Sequence, residues 1–137
     1  MTEALLACGE HLGFAFALRD DYLGVWGDAG VTGKPVGDDL REGKATVLLS
    51  LAAECLTGPD AALIDRVGTP DLHPEDIPRL ADLILDAGVA ADLEYIIDTE
   101  FQAAMACLSP DRLTEPLDPR AVQGLRGVAR RALWRHL

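Results

Sequence analysis

At 137 residues the chain is long enough for one domain with a modest core, and a formal charge of −11 argues against general nucleic-acid binding, which needs a basic footprint. Hydrophobic residues make up 49% and aromatic ones only 5%, so the apolar content is mostly Ala and Leu, which favours helix over sheet. No run of about eighteen apolar residues occurs, and the opening MTEALLACGE carries acids and no basic region, so neither a membrane span nor a secretory signal is expected.

The first predicted helix runs from Thr2, a plausible N-cap, to about Gly24 or Gly27, with Leu5, Leu6, Leu12, Phe16 and Leu23 as its apolar positions. Within it Cys8 is the first of three widely separated cysteines, the others being Cys55 and Cys107. They lack metal-ligand spacing, read as small buried side chains, and fit a reducing cytoplasm. Residues 27 to 38 hold Gly27, Gly30, Gly33, Gly37 and Pro35 and read as a loop.

A second helix starts near Asp38 or Asp39 and carries Leu40, Val47, Leu48, Leu51 and Cys55 at helical spacing, with Lys44 in the middle of that stripe. Thr57-Gly58-Pro59-Asp60 ends it and caps a short helix from Ala61 to Val67. His73-Pro74-Glu75-Asp76 opens a helix to Ala87 with Ile77, Leu80, Ile84 and Leu83 inward, and Gly88 stops it. Val89 to Leu108 follows with Leu93, Ile96, Ile97, Ala104 and Leu108 on one side, and Leu117-Asp118-Pro119 caps the last helix through about Trp134. Acids are absent after Asp118, where Arg120, Arg126, Arg130, Arg131 and Arg135 read as a solvated helix face with cations near its C-terminal end. The sum is an all-α helical bundle of about six helices in a single domain over residues 1–137.

The chemistry concentrates between Gly13 and Thr46, where Asp20-Asp21 and Asp38-Asp39 flank Gly33-Lys34-Pro35 and precede Gly43-Lys44-Ala45-Thr46. Carboxylates that can hold a divalent cation lie beside lysines that can meet an anion, which is the equipment for a magnesium-bound phosphate ester. Taken alone, Asp20 and Asp21 also read as a solvated helical surface, Lys34 as an ordinary loop lysine, and Lys44 as a side chain snorkelling over Leu40 and Leu48. Asp28 is placed to swing back if the helix breaks near Gly27. The two Gly-Lys pairs do not make a P-loop, because Ala45 stands between Lys44 and Thr46. His73 and His136 read as surface residues, and His11 as a satisfied core histidine.

Phe16-Ala17-Leu18-Arg19-Asp20-Asp21-Tyr22-Leu23-Gly24, then Gly27-Asp28, Gly33-Lys34-Pro35-Val36-Gly37-Asp38-Asp39-Leu40 and Gly43-Lys44-Ala45-Thr46, resemble the second aspartate-rich region of trans-isoprenyl diphosphate synthases, the polyprenyl synthetase family. The resemblance continues through the later helices with looser motifs and covers the second half of such an enzyme. It implies the C-terminal part of the all-helical isoprenoid synthase fold, usually dimeric, and magnesium-dependent head-to-tail joining of isopentenyl diphosphate to an allylic diphosphate. By this resemblance Asp20 ligates magnesium with Asp21 in support, and Lys34 holds the allylic diphosphate. Lys44 and Asp39 complete the polar wall, and Phe16 lines the pocket near the reacting chains.

Two positions depart from the family pattern: Ala17 stands where Gln is usual, and Gly24 where the third acid of the motif is usual. The first aspartate-rich motif, the arginine pair after it and an earlier Lys-Thr element are all missing. The resemblance therefore implies a C-terminal portion or subunit that is inactive alone and needs a chain supplying the N-terminal half, in a homo- or hetero-oligomer. A non-catalytic partner module that kept the fold is the alternative favoured by Ala17. A terpene-cyclase-like fragment is a third, since it too ionises an allylic diphosphate.

Overall fold

The computed structural model describes residues 2–135, and among them every regular element is helical. In chain order these are α1 (Thr2–Trp26), α2 (Ala29–Thr32), α3 (Asp38–Glu42), α4 (Val47–Cys55), α5 (Gly58–Ile64), α6 (Asp76–Asp86), α7 (Val89–Cys107), a 3₁₀ turn (Pro110–Arg112) and α8 (Pro119–Leu133). The all-α expectation is met, with more and shorter helices than the periodicity predicts. No helix among the described residues is long and apolar enough to cross a membrane.

The chain forms two compact units, one of residues 2–19 and 94–135, the other of residues 20–93. In the first, Cys8, Ala15 and Leu18 of α1 are buried, as are Ile97, Phe101, Ala104, Met105 and Leu108 and then Ala129 and Leu133 of α8. Of the apolar positions that spacing picks out on α1, Leu23 is buried and Leu12 half-buried, but the other three are not. Leu5, Leu6 and Phe16 are exposed, together with Phe14. The reason is that α1 is apolar around most of its circumference, so spacing alone gives its buried side no direction. Helices of that kind belong to the interior of larger assemblies of helices.

The buried side of α1 includes a charge, Arg19, which is 0% exposed. Its guanidinium forms a two-pronged pair with Glu94, Nη1 to Oε1 at 2.6 Å and Nη2 to Oε2 at 2.8 Å, while Nε donates to the Leu133 carbonyl. This fork geometry is the arrangement in which an arginine is tolerated in an interior. Nearby, Phe101 and Trp134 meet edge to face at 5.4 Å and Arg130 stacks against both rings. Arg120, Arg126 and Arg131 are exposed, as a solvated face requires. His11 is partly exposed, with Nδ1 2.6 Å from Glu100 Oε2, and so is a paired surface-edge residue rather than a core one. His73 is exposed, and the reading of His136 lies outside the described residues. Of the cysteines, Cys8 is buried as expected and Cys107 partly so, whereas Cys55 is exposed at the end of α4. Burial, and secondarily Cys107, push the Cys8 thiol up from its ordinary value.

In the second unit Leu23, Val25, Leu40, Leu48, Ala52, Ile77, Leu80, Ile84, Val89 and Leu93 are buried. The expected helix from Asp38 to Cys55 is in fact two helices. Gly43, at φ +68°, ends α3, and Thr46 starts α4 by accepting the Leu49 N–H at 3.2 Å. A Cβ on residue 43 would lie 2.3 Å from the Gly68 Cα, so two backbones pass where only glycines fit. Lys44 therefore sits in an extended break, not on a helical stripe.

Candidate metal and diphosphate site

The second unit folds the acidic end of α1 against the α3–α4 break. Trp26 Nε1 donates to the Ala81 carbonyl at 3.1 Å, fixing the end of α1 on α6. Asp28 accepts the Gly30 N–H at 2.7 Å and so caps α2, which keeps it from swinging back towards Asp20 as the sequence allows. The Gly37 N–H then bonds the Val25 carbonyl at 3.1 Å, returning the loop to α1. From there α3 and the turn after it run opposite Asp20 and Asp21. The Asp39 carbonyl accepts the Lys44 N–H at 3.0 Å, which shapes that turn.

The Lys44 ammonium lies 3.5 Å from Asp39 Oδ2, 3.8 Å from Asp21 Oδ1 and 4.0 Å from Asp20 Oδ2. Carboxylates from the end of α1 and from α3 thus converge on one cation. Asp39 is nearly buried, the Asp21 side chain is mostly covered, and the Asp20 side chain is 54% exposed, so the cluster opens to solvent on the Asp20 side. The Val47 N–H, at the first residue of α4, also favours the ionised Asp21 carboxylate, as a helix N-terminus does.

Asp21 is the strained member. Burial is the main cause that holds its carboxyl above the ordinary 3.8, with Asp39 and Asp20 adding repulsion while Lys44 and the Val47 N–H oppose the shift. The three carboxylates in turn raise Lys44 above 10.5 despite the opposing effect of its partial burial. A carboxyl raised in the folded state binds more protons folded than unfolded, so its stability contribution is complete below pH 3.8 and is lost as pH rises through the folded value. Urea melts of the wild-type chain and Asp21→Asn between pH 4 and 7 should therefore show a gap that shifts in favour of the variant as pH rises. A pH-independent gap would contradict this.

Other site residues from the sequence are placed differently. Lys34 is exposed in the turn after α2, held by the Thr32 hydroxyl on its backbone N–H, and among the described ion pairs none joins it to the cluster. Phe16 is exposed, with the Arg135 guanidinium 4.5 Å from its ring centroid. The sequence reading missed Arg19. Arg19 had a usable signal: helical spacing puts it on one face with Cys8, Ala15 and Leu18.

Among the described residues no group of three carboxylate, His or Cys side chains converges closely enough to hold a metal ion unaided. Three carboxylates facing a single ammonium nevertheless leave an excess of negative charge at an open edge. Magnesium commonly takes one or two carboxylates and completes its octahedron with water and substrate phosphate oxygens. The donor set fits an ion shared with a phosphate ligand and does not fit a closed protein cage.

Residues 1–84 match the family model described as polyprenyl synthetase. The chain is 38% identical over 114 residues to a geranylgeranyl diphosphate synthase of Mycobacterium tuberculosis, an alignment covering 82% of this chain and 32% of that protein. It is 44% identical over 80 residues to a geranylfarnesyl diphosphate synthase of Aeropyrum pernix, covering 58% of this chain and 24% of the relative. Among solved structures, the geranylgeranyl pyrophosphate synthase of Corynebacterium glutamicum, complexed with isoprenyl diphosphate and magnesium, superposes with a TM-score of 0.84 at 39% identity, over 97% of this chain and 37% of that one. The matches thus span between about a quarter and somewhat over a third of the length of these relatives.

Proposed function

Because the chain belongs to the polyprenyl synthetase family, we propose that it supplies the second aspartate-rich motif of an isoprenyl diphosphate synthase, for magnesium-dependent condensation of isopentenyl diphosphate with an allylic diphosphate. The observation that carries this reading is the convergence of Asp20, Asp21 and Asp39 on Lys44, at the residues where the family motif lies. Magnesium, when bound, offsets the charge of the diphosphate leaving group. Asp20, the most exposed carboxylate of the cluster, is assigned to ligate the ion and Asp21 to support it. Lys44 and Lys34 present fixed positive charge to diphosphate oxygens, which gain charge as the allylic bond breaks. Phe16 offers an apolar face to the prenyl chain.

The proposal extends to partners. Leu5, Leu6, Phe14 and Phe16 are exposed in several directions around α1, and a helix apolar all round normally lies inside a larger assembly of helices. The helices that cover it are those of the remaining two-thirds of the family fold, in a homo- or hetero-oligomer. The test is capture of the tagged chain from its source cells, followed by an assay of labelled isopentenyl diphosphate incorporation. Magnesium-dependent incorporation by the captured complex supports the reading, and a complex without it contradicts the reading. A second reading has its own observation: Lys44 already balances part of the cluster's charge, as a structural ion pair does. A non-catalytic module would retain this cluster and bind no magnesium diphosphate.

A further inference from the structure

Two thiols face each other across α1 and α7. Arg19 pairs with Glu94, and further toward the start of α1 His11 meets Glu100 at 2.6 Å, so the two helices run antiparallel. Continuing that register brings Cys107, at the end of α7, level with Ala4, and Cys8 level with Ala104. A cavity of about 290 Å³ agrees, since Ala4 and Ala7 of α1 and Cys107 of α7 line it together with Glu3, Arg112 and Thr114. Cys8 lies on the same stripe of α1 as Ala4 and Ala7, because positions three and four apart share a helix face. The two cysteines are thus about one turn apart along the helix axes. Side-chain tilt closes that offset. Each Cα–Cβ bond leans toward the N-terminus of its own helix, so in this antiparallel pair Cys8 leans toward the level of Cys107 and Cys107 leans back toward Cys8. Ala4, Ala7, Ala103 and Ala104 along this stretch are small, which lets the backbones approach as a disulfide requires, with Cα atoms within about 7 Å. Cys107 also bears on the titration of Cys8, as a near neighbour does.

We propose that Cys8 and Cys107 form a reversible redox modification site, at which a small-molecule disulfide such as oxidised glutathione drives a bond between α1 and α7. Cys107, half-buried at the cavity, is the thiol that a reagent meets first, and its thiolate attacks one sulfur of the glutathione disulfide. The S–S bond of the reagent breaks, one glutathione leaves as thiolate and takes up a proton, and the other stays on Cys107 as a mixed disulfide. Cys8, 2% exposed, then attacks the Cys107 sulfur from inside the unit and expels the second glutathione. Two protein thiols are oxidised and one glutathione disulfide is reduced to two thiols. Arg112 in the cavity offers a cation to the carboxylates of glutathione, with Glu3 opposing it. The bond closes a loop over most of the chain, which restricts the unfolded state and stabilises the folded one. This inference is independent of the function proposed above.

The test uses Cys55→Ser in the 137-residue chain, which removes the exposed thiol at the end of α4 and leaves the pair. The folded protein is incubated with oxidised glutathione, quenched with acid, and analysed by intact mass and peptide mapping. The expected product has lost two hydrogens, carries no glutathione and joins the Cys8 peptide to the Cys107 peptide. Its Tm should be about 5–10 °C higher than that of the reduced chain, and dithiothreitol should return it to the starting value. Added to the same background, Cys8→Ser should stop at one glutathione on Cys107. Cys107→Ser, which changes a half-buried position and spares the core, should take up none, because Cys8 is covered. A chain with both thiols that stops at the Cys107 adduct would overturn the inference, as would glutathione taken up by Cys8 in Cys107→Ser. A linked product with a lowered Tm would show a bond made only by distorting the fold, and would overturn it too.

Discussion

Arg19→Ala lowers the stability of the fold by about 1.5–3 kcal/mol, the scale for losing hydrogen bonds to a charged group. Arg19 is fully buried, and its loss strands the Glu94 carboxylate and the Leu133 carbonyl that it joins across α1, α7 and α8. Against a total stability of about 5–15 kcal/mol such a loss is a large share. Arg19→Lys keeps the charge but cannot reproduce the two-pronged contact with Glu94, so it should recover only part of the deficit. Replacing both Arg19 and Glu94 by leucine should cost less than the sum of the single changes, because neither charge is then left alone. Urea unfolding followed by circular dichroism gives all of these values. A change below about 1 kcal/mol for Arg19→Ala would mean that the pair is a surface contact in solution.

The second large effect is on chemistry. Under the proposed function, Asp20→Ala in the captured complex should reduce the condensation rate about 100-fold or more, the scale for removing one preplaced electrostatic group from a charge-developing transition state. Lys34→Ala should reduce it by a similar order, and the loss should appear in the binding of the allylic substrate as well as in turnover. Asp20 lies at the open edge of the cluster and its removal leaves the core intact, so the thermal stability of the variant should stay near that of the wild type. Near-normal rates for both variants would remove the site assignment.

Much of this was legible in the sequence. Helix ends marked by glycine, proline or a capping acid came out close to place: α6 stops at Ala87–Gly88, and Asp118 caps α8 by accepting the Arg120 N–H. The acidic pair and Lys44 were legible from residue type, Asp39 through the family resemblance, and the structure brings them together. What failed did so for physical reasons. Alternation cannot orient α1, because its apolar residues point in all directions and its buried face is partly alanine, cysteine and an arginine. The break at Gly43 was hidden because Leu40 and Leu48 are both buried, as one continuous helix would also have them. Nothing in one-dimensional spacing shows that two glycines, Gly43 and Gly68, pass backbone to backbone, or that the Asp39 carboxylate lies against Gly24. The placement of Lys34 apart from the described cluster also lies beyond what residue type can give.

The measurement closest to the central claim is a calorimetric titration of inorganic pyrophosphate into the chain in the presence of magnesium, repeated with Asp20→Ala and with magnesium removed by chelation. A metal-dependent heat of binding in the wild type, lost both in Asp20→Ala and without magnesium, is the predicted result. No binding in the wild type, or binding that persists unchanged in Asp20→Ala, would contradict a metal and diphosphate site built on Asp20, Asp21, Asp39 and Lys44.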